Sequence, residues 1–283
     1  MATNYKDLTI ILVAFNSNFE IENILKDLNQ EIRIIIVENS NQLRTKDYFE
    51  KKYKNIEVIL SKENNGQTGG INIGLKNVKT KYCLYMDMDI SFKVNLIDKF
   101  YELAEKVEDF GILVPPHNKS NYPKEYEHEI ESTFPELKRM KIVHGYFIFF
   151  NMAAVKDIGY YDENIFFYFD ETDYCLRLIN NNHKIYIVND VIVNHKEGRS
   201  YNKTLQAKIE PFRQWHYMWG KFYFYKKHYN YFRALVATLP NFFECIIKIP
   251  ILFFYNKKNC IIYFNRLMGL LNAIIGKKSW KRP

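Results

Sequence analysis

The sequence is poor in cysteine, with four in 283 residues. Cys83, Cys175, Cys245 and Cys260 lie far apart, whereas zinc-binding and redox motifs need closely spaced pairs. Disulfide frameworks are typical of small secreted chains with many cysteines. We therefore expect reduced cysteines that fill packing positions, and neither a disulfide framework nor a zinc site.

The sequence also lacks the segments that direct a chain out of the cytoplasm. Its polar N-terminal residues contain neither the charged n-region nor the apolar h-region of a signal peptide. The most apolar segment, 234–255, is interrupted by Pro240, Glu244, Lys248 and Pro250. Charges and helix breaks are costly in lipid, so this segment is a poor membrane span. We expect a cytoplasmic protein.

Acidic residues are scarce in the last third of the chain. From Lys196 onward, 17 Lys and Arg face only three acids, a net charge of +14, whereas residues 1–195 carry −6. This asymmetry predicts an acidic catalytic domain over 1–200 and a basic helical region over 201–283 that meets a polyanion. Nucleic acid and an anionic membrane are the two candidate polyanions.

The first 90 residues alternate between apolar runs of strand length and segments with helical spacing. The predicted strands are 8–14, 32–37, 56–60 and 82–90, and the predicted helices lie in 21–28 and 43–53. The segment 64–74 is expected to be a flexible loop that feeds a further helix. Such alternation predicts an α/β fold with a mostly parallel sheet between two helical layers.

Two carboxylates end the fourth predicted strand, at Asp87 and Asp89. Residues at i and i+2 of an extended chain point to the same side, so both can aim at one point past the strand. Ligands of open α/β sheets bind there, and paired carboxylates suit Mg²⁺ or Mn²⁺. The glycine-containing segment 64–74 is not a P-loop, because no Gly-Lys-Ser/Thr follows.

A second acidic cluster follows the aromatic run 166–169. Asp170, Glu171 and Asp173 begin a predicted helix, and three acids in four residues exceed what helix capping needs. A carboxylate beside apolar rings can act as a base. His195, after the last predicted strand, says little by itself.

Together, these motifs resemble the family 2 glycosyltransferases, which have the GT-A fold. The resemblance covers residues 8–200. Within the family, the sequence is similar to the branch that includes rhamnosyl- and galactofuranosyl-transferases of bacterial surface polysaccharides. Its motifs lie at 13–16, 37–40, 65–74, 87–89, 159–177 and His195. Two departures are Glu38, where Asp is usual, and the order Asp170-Glu171, where Glu-Asp is usual.

The resemblance implies a role for each matching residue. The nucleotide pocket would be formed by Ala14, Phe15, Asn16, Glu38, Asn39, Asn65, Gly66, Asn72 and Asp87, with Glu38 on the base or ribose. Asp87, Asp89 and His195 would hold Mn²⁺ or Mg²⁺ on the diphosphate. Glu171 matches the catalytic base, with Asp170 as the alternative and Asp173 as a further matching acid.

The function expected from these residues is an inverting, metal-dependent sugar transfer. A base deprotonates the acceptor hydroxyl, and the metal stabilises the departing diphosphate, so no covalent intermediate is needed. The expected partners are a UDP- or dTDP-sugar donor and a lipid-linked or oligosaccharide acceptor. A sugar nucleotidyltransferase is the alternative enzyme, although Phe15-Asn16-Ser17-Asn18 is not its triphosphate loop. A nucleic-acid-binding protein would leave both acidic clusters unexplained.

The region 201–283 is expected to form basic amphipathic helices. Apolar and aromatic residues recur at helical spacing over 205–222 and 261–275, beside many lysines. Such helices suit the membrane surface, which predicts a peripheral protein on the inner face of the cell membrane. Packing against the catalytic domain, or formation of a homodimer, is the alternative, and nucleic acid is the least favoured partner.

Overall fold

The computed structural model describes residues 5–93, 95–116, 124–130, 132–195 and 203–281. These residues form two compact units. The first comprises 1–161 and 174–197, and the second comprises 162–173 and 198–283. The expected domains were 1–200 and 201–283, so the structure differs in grouping 162–173 with the C-terminal helices.

The first unit is built on one large sheet. Its strands, in the described part of the chain, are β1 (Leu8–Ala14), β2 (Arg33–Glu38), β3 (Ile56–Leu60), β4 (Tyr82–Met86), β6 (Phe110–Val114), β7 (Leu137–Met140), β8 (Phe147–Asn151) and β9 (Lys184–Val188). Their order across the sheet is β3-β2-β1-β4-β8-β6-β9-β7. Strands β5 (Ile90–Phe92) and β10 (Val193–His195) form a separate antiparallel pair.

Parallel pairing dominates the half of the sheet that carries the site. Strand β1 pairs in parallel with β2 and with β4, and β2 pairs in parallel with β3. Strand β8 lies antiparallel between β4 and β6, and β7 is an antiparallel edge strand beside β9. Strand β1 has β2 on one side and β4 on the other, so the strand order reverses at β1. Such a reversal opens a crevice at the carboxyl ends of the strands, here β1, β2 and β4, and ligands of open α/β sheets bind there.

Helices cover both faces of this sheet. They are α1 (Asn18–Leu25), α2 (Leu43–Lys52), α3 (Gly66–Asn77), α4 (Leu96–Lys106), α5 (Met152–Ile158) and α6 (Asp170–Asn180), whose first turn belongs to the second unit. Successive strand residues enter different cores: Ile10 and Leu12 pack in one, and Ile11 packs in the other. This alternation gives the three-layer α/β architecture, with its mostly parallel sheet, that the sequence predicts.

The second unit is a helical bundle of α7 (Lys203–His228), α8 (Tyr231–Tyr255) and α9 (Lys257–Ile274). Its core combines large and small side chains, since Trp215, Met218 and Phe222 pack with Ala234 and Ala273. A Cβ on Gly269 would lie 2.2 Å from the backbone oxygen of Trp215, so only glycine allows α9 to approach α7 this closely.

The expectation that prolines interrupt 234–255 is wrong. Helix α8 is continuous through Pro240 and Pro250. Each proline removes one backbone N–H and frees the carbonyl four residues earlier. Val236 and Ile246, whose carbonyls are freed, are exposed, as are both prolines, so water can satisfy these groups.

Candidate active site

The two carboxylates after β4 and the late histidine come together in the first unit. The Nε2 atom of His195 lies 3.1 Å from Oδ1 of Asp89 and 3.5 Å from Oδ2 of Asp87. One ligand atom from each of the three residues lies within 4.8 Å of the others. Strand pairing produces this arrangement, because β10 places His195 opposite Ile90, the residue after Asp89.

The His195 ring is held by stacking. It lies parallel to the Tyr146 ring, with 4.8 Å between the centroids and 17° between the planes. Tyr146 is itself anchored, since its hydroxyl donates to the carbonyl of Pro116 at 2.7 Å and its carbonyl accepts from the backbone N–H of Asp87 at 2.8 Å. One tyrosine therefore positions both the histidine and the first carboxylate.

Burial disfavours the ionised form of the Asp87 carboxylate. Burial raises its pKa to about 7, although a hydrogen bond from Tyr85 and the nearby His195 oppose the shift. The Tyr85 hydroxyl donates to Asp87 Oδ1 at 2.5 Å, and Gln67 donates to the same oxygen at 3.1 Å. A divalent cation would favour the ionised form. The two carboxylates suit Mn²⁺ or Mg²⁺, and the His195 imidazole adds one nitrogen ligand.

Tyr85 and Gln67 are site residues that sequence reasoning missed. A usable signal existed for Tyr85, because it lies two positions before Asp87 in the predicted strand 82–90, and residues at i and i+2 of an extended chain share a side. Burial and the Asp87 carboxylate raise the pKa of Tyr85 well above its usual range, which keeps the hydroxyl a donor. Gln67 is the second residue of α3, and no local pattern indicated its contact with Asp87.

Glu38 braces two loops at the carboxyl ends of β1 and β2. Its buried carboxylate accepts from Ser40 Oγ at 2.6 Å, from the Gln42 N–H at 2.8 Å, and from the N–H groups of Ser40 and Asn16. Asn16 has a positive φ of 55°, which asparagine tolerates. The role of Glu38 at a base or ribose stays a prediction, and its carboxylate fixes the local turn.

The remaining predicted pocket residues lie around the start of α3. Ala14 is buried and accepts from the Asn39 N–H at 2.8 Å, whereas Phe15 is half exposed. Asn39 donates to the Gly66 carbonyl at 2.9 Å, and its buried Oδ1 has no hydrogen-bond partner among the described residues. Gly66 has a φ of 68°, which suits glycine and starts the helix.

Asn65 and Asn72 hold the ends of this segment. Asn65 donates to Ser61 Oγ at 2.6 Å. Asn72 is fully buried, and its amide group exchanges two 2.9 Å hydrogen bonds with the backbone of Tyr161. Asn72 therefore contributes by fixing α3 against the 159–161 segment.

The second acidic cluster follows a strained turn in the second unit. Asp170, Glu171 and Asp173 form the first turn of α6. Just before it, Tyr168 and Phe169 have φ values of 61° and 67°. Two consecutive bulky residues rarely adopt this left-handed conformation, which costs of order 1–3 kcal/mol per residue and concentrates at functional sites.

Helix α7 holds the strained turn in place. The Phe169 ring packs against Tyr217 and Phe224 at centroid distances of 5.7 Å, and Arg213 lies over the Tyr168 ring at 5.5 Å. At Gly220, a Cβ would lie 3.2 Å from the Tyr168 carbonyl oxygen. The turn therefore fits against a bare patch of α7 backbone.

Asp173 lies in a buried ion-pair network. It is 0% exposed, and its Oδ1 lies 2.5 Å from Lys227 Nζ and 2.8 Å from His228 Nε2. Lys227 Nζ also lies 2.8 Å from Asp162 Oδ2. The Tyr223 hydroxyl donates to the same Asp162 oxygen at 2.9 Å. In this position Asp173 anchors the start of α6 and is closed to a substrate. Among the three predicted catalytic acids, Asp170 and Glu171 remain candidates for the base.

We expect Asp162→Asn to destabilise the second unit by about 2 kcal/mol at neutral pH. Burial raises the pKa of Asp162, but hydrogen bonds from Lys227 and Asn164 outweigh it and lower the pKa to about 2. Since the folded pKa lies below the unfolded value, this stabilisation exists above about pH 4 and is lost as the pH falls to about 2.

Denaturant unfolding at pH 7 and pH 3 checks this expectation. All three tryptophans, Trp215, Trp219 and Trp280, lie in the second unit, so tryptophan fluorescence reports its unfolding. The variant should differ most from the native protein at pH 7. Asp47→Asn, at an exposed position of α2, serves as the control. An equal loss at both pH values would contradict the pairing of Asp162 with Lys227.

The chain is similar in sequence to known glycosyltransferases. The model of the family described as Glycosyl transferase family 2 matches residues 9–160, more than half of the chain. Over 194 residues the chain is 23% identical to the low-salt glycan biosynthesis hexosyltransferase Agl10 of Haloferax volcanii. That match covers 62% of each chain, so the chain spans less than two thirds of this relative's length.

Two solved structures have the same architecture. A mannosyltransferase from Pyrobaculum calidifontis, PcManGT, in complex with GDP-Man and Mn²⁺, superposes with a TM-score of 0.60 at 12% identity, covering 96% of this chain and 88% of that one. S. aureus TarS 1–349 in complex with UDP-GlcNAc gives a TM-score of 0.53 at 13% identity, covering 96% and 92%. At these identities the likeness shows the fold alone, and it confirms the predicted GT-A fold class. The family match goes further, and by it the chain belongs to glycosyl transferase family 2.

Proposed function

We propose that this protein is an inverting, metal-dependent glycosyltransferase that moves a sugar from a nucleotide-diphosphate donor to a hydroxyl group. The observation that carries the proposal is the convergence of Asp87, Asp89 and His195 at the carboxyl end of β4, in a chain of this family. Family membership also weighs against the alternatives of a sugar nucleotidyltransferase and a nucleic-acid-binding protein.

The proposed chemistry is a single displacement. The Glu171 carboxylate accepts the proton of the acceptor hydroxyl. At the same time, the hydroxyl oxygen of the acceptor forms a bond to the anomeric carbon. The bond from that carbon to the diphosphate oxygen breaks, and the diphosphate leaves with the electron pair through an oxocarbenium-like transition state. A divalent cation bound by Asp87, Asp89 and His195 would supply positive charge to the leaving diphosphate. Asp170 is the alternative base.

The donor and the acceptor are also part of the proposal. We infer a UDP- or dTDP-sugar donor and a lipid-linked or oligosaccharide acceptor of surface-glycan synthesis, as in the rhamnosyl- and galactofuranosyl-transferase branch. The relative Agl10 is a hexosyltransferase of glycan biosynthesis, and the solved neighbours were crystallised with GDP-Man and with UDP-GlcNAc. These names support a nucleotide sugar in general.

A donor panel tests the proposal. The full chain is incubated with UDP-, dTDP- and GDP-sugars in the presence of Mn²⁺ or Mg²⁺, and release of the nucleoside diphosphate is measured. We expect release from at least one UDP- or dTDP-sugar, and its loss when a chelator is in excess. Release that persists in the chelator would overturn metal dependence, and release of pyrophosphate from a nucleoside triphosphate would favour a nucleotidyltransferase.

We also propose that the protein binds the membrane surface, and the exposed face of the helical bundle supports this. Along α8, large apolar side chains point outward at helical spacing: Phe232, Val236, Leu239, Phe243, Ile247, Ile251 and Phe254, between 50% and 80% exposed. Helix α9 and its C-cap residue carry a second such stripe: Ile261, Phe264, Met268, Leu271 and Ile275. An apolar face of this length on a soluble surface marks an interaction site.

The other side of α8 favours a helix that lies in the membrane plane. By length and composition α8 could cross a bilayer, and only 11% of its most apolar window is buried. However, Ala234, Thr238 and Cys245 face the bundle, and Glu244 binds Lys248 at 2.7 Å. A helix that is apolar on one face and packed in a bundle on the other suits the interface. Exposed Lys257 and Lys258 begin the next helix, and each lysine near an anionic bilayer contributes about 1 kcal/mol.

We expect the full chain to co-sediment with phosphatidylglycerol vesicles, and less so as salt rises. Phe254→Glu should lower the partition by at least about tenfold, because withdrawing one large apolar side chain costs about 1.5–3 kcal/mol. Phe19→Glu is the matched control, since Phe19 in α1 is 74% exposed and Phe254 is 80% exposed.

Other outcomes would assign the stripes differently. Equal binding to neutral and anionic vesicles would refute the electrostatic part of the proposal. A stable dimer in solution, with no binding to either vesicle, would assign the apolar face to a second copy of the chain. We place the protein on the cytoplasmic face of the membrane, where a lipid-linked acceptor and the enzyme would share one plane.

A further inference from the structure

The second unit contains a small cavity of about 150 Å³ at the ends of α7 and α9. Its walls combine aromatic rings with amines: Asn164, Trp219, Tyr223, Lys226, Lys277 and Lys278 contribute. The Trp219 and Tyr223 rings stack at 4.8 Å with 17° between their planes. The cavity thus has an aromatic wall and three cationic groups.

The charge of this cavity is uncompensated. Lys226, Lys277 and Lys278 are exposed, and within the described residues none of them forms an ion pair with a carboxylate. The neighbouring Lys227 is different, because it binds Asp162 and Asp173. Ammonium groups gathered without an acid at one small cavity favour an anion, and phosphate is the common anion that lysines bind as point charges.

The backbone that carries two of these lysines is fixed. Gly276 ends α9 with a φ of 75°, and the Lys277 N–H donates to the Asn272 carbonyl at 2.9 Å, as in a Schellman cap. The Trp219 indole N–H then donates to the Lys277 carbonyl at 2.9 Å, which ties the cap to α7. The lysines therefore start from a rigid turn, which lowers the ordering cost of binding.

The same cavity adjoins the loop that carries the candidate base. Asn164 lines the cavity, and both its backbone N–H and its side-chain amide donate to Asp162 Oδ1, at 3.0 and 2.8 Å. Tyr223 lines it too and donates to the other oxygen of Asp162. Asp162 begins the loop that runs through the strained turn to Asp170 and Glu171.

We propose that this cavity binds a phosphate group of the acceptor, a phosphorylated or lipid-linked sugar, with Lys226, Lys277 and Lys278 on the phosphate and Trp219 and Tyr223 beside the adjoining carbon skeleton. This assignment rests on the proposed glycosyltransferase function, and it adds a phosphate-binding subsite for the acceptor. The site would lie on the same unit as the base that activates the acceptor hydroxyl.

A titration of the full chain with glycerol 3-phosphate and with inorganic phosphate tests the site without catalysis. The indole ¹⁵N–¹H resonance of Trp219 is followed, at constant ionic strength kept with sodium chloride. We expect a saturable shift of this resonance with both probes, larger than that of Trp280. No saturable shift at Trp219 would overturn the site.

Two matched pairs of variants sharpen the test. Lys277→Gln/Lys278→Gln removes two lysines of the cavity, and Lys257→Gln/Lys258→Gln removes two exposed consecutive lysines elsewhere in the same unit. We expect the first pair to weaken glycerol 3-phosphate binding by about tenfold and the second to leave it unchanged. Equal weakening by both pairs would reduce the effect to general attraction and overturn the site.

Vesicles separate an acceptor phosphate from a bilayer headgroup. If the cavity serves the acceptor, Lys277→Gln/Lys278→Gln should lose no more partition into phosphatidylglycerol vesicles than Lys257→Gln/Lys258→Gln does. A much larger loss for Lys277→Gln/Lys278→Gln would assign the cavity to bilayer lipid and overturn the acceptor assignment. A chain that releases no nucleotide from any donor would refute the proposed function, while the phosphate titration would stand or fall independently.

Discussion

Asp89→Ala is expected to lower sugar transfer by on the order of 10³-fold or more, and to remove divalent-dependent binding of the donor. Asp89 Oδ1 lies 3.1 Å from the histidine nitrogen that completes the cluster, so its loss leaves one carboxylate and one imidazole. The fold should persist, because Asp89 follows β4 and is not part of the sheet. Transfer rates and calorimetric titration of Mn²⁺ measure the two effects.

The first unit offers a close control for this variant. Asp157 pairs with His183 at 2.7 Å, which is a second aspartate–histidine pair away from the cluster. Asp157→Ala should keep metal binding and transfer close to the native level. The metal assignment would be wrong if Asp89→Ala were fully active, or if the native protein were fully active in excess chelator.

Glu171→Gln is expected to lower kcat by on the order of 10²–10⁴-fold, with little change in donor affinity. Glutamine keeps the shape and hydrogen bonding of the side chain, but it cannot accept the proton of the acceptor hydroxyl. Position 171 lies in the first helical turn after the strained pair Tyr168 and Phe169, which fixes where the carboxylate starts. Single-turnover transfer and donor titration separate the two quantities.

Asp170→Asn and Glu163→Gln complete this experiment. Glu163 is an exposed acid of the loop before α6, and its variant should behave like the native protein. If Asp170→Asn is inactive and Glu171→Gln is nearly normal, the two roles are reversed. If Asp170→Asn and Glu171→Gln both stay active, the base is another residue.

The sheet was predictable where apolar runs are continuous. The predicted strands at 8–14 and 56–60 coincide with β1 and β3, and β2 starts and ends one residue later than expected. The fourth prediction, 82–90, was too long: β4 ends at Met86, and Ile90 begins β5. Asp87 and Asp89 lie between these two strands, where their carboxylates converge with His195.

The order of the strands was not predictable. Strand β8 follows β6 and β7 in the chain, yet it lies antiparallel between β4 and β6. The segment 91–143 contains no motif, and such distant pairing depends on the whole core. Local propensity carries no information about this order.

The candidate site divides in the same way. The spacing of Asp87 and Asp89 predicts their convergence, whereas His195 joins them only through the pairing of β10 with β5. The acidity of the α6 start was visible in the sequence. The burial of Asp173 was not, because its partners Lys227 and His228 lie more than fifty residues further along the chain.

The make-up of the second unit bears on how this enzyme can be recombined with its relatives. Residues 162–173 pack with α7 through Phe169, Gly220 and Lys227, although β9 and β10 separate the two segments in the chain. A chimera joined near residue 200 would therefore pair the 162–173 segment of one protein with the α7 helix of another. Exchange of the whole second unit between relatives should need two crossovers, one on each side of 162–173, in addition to the C-terminal helices.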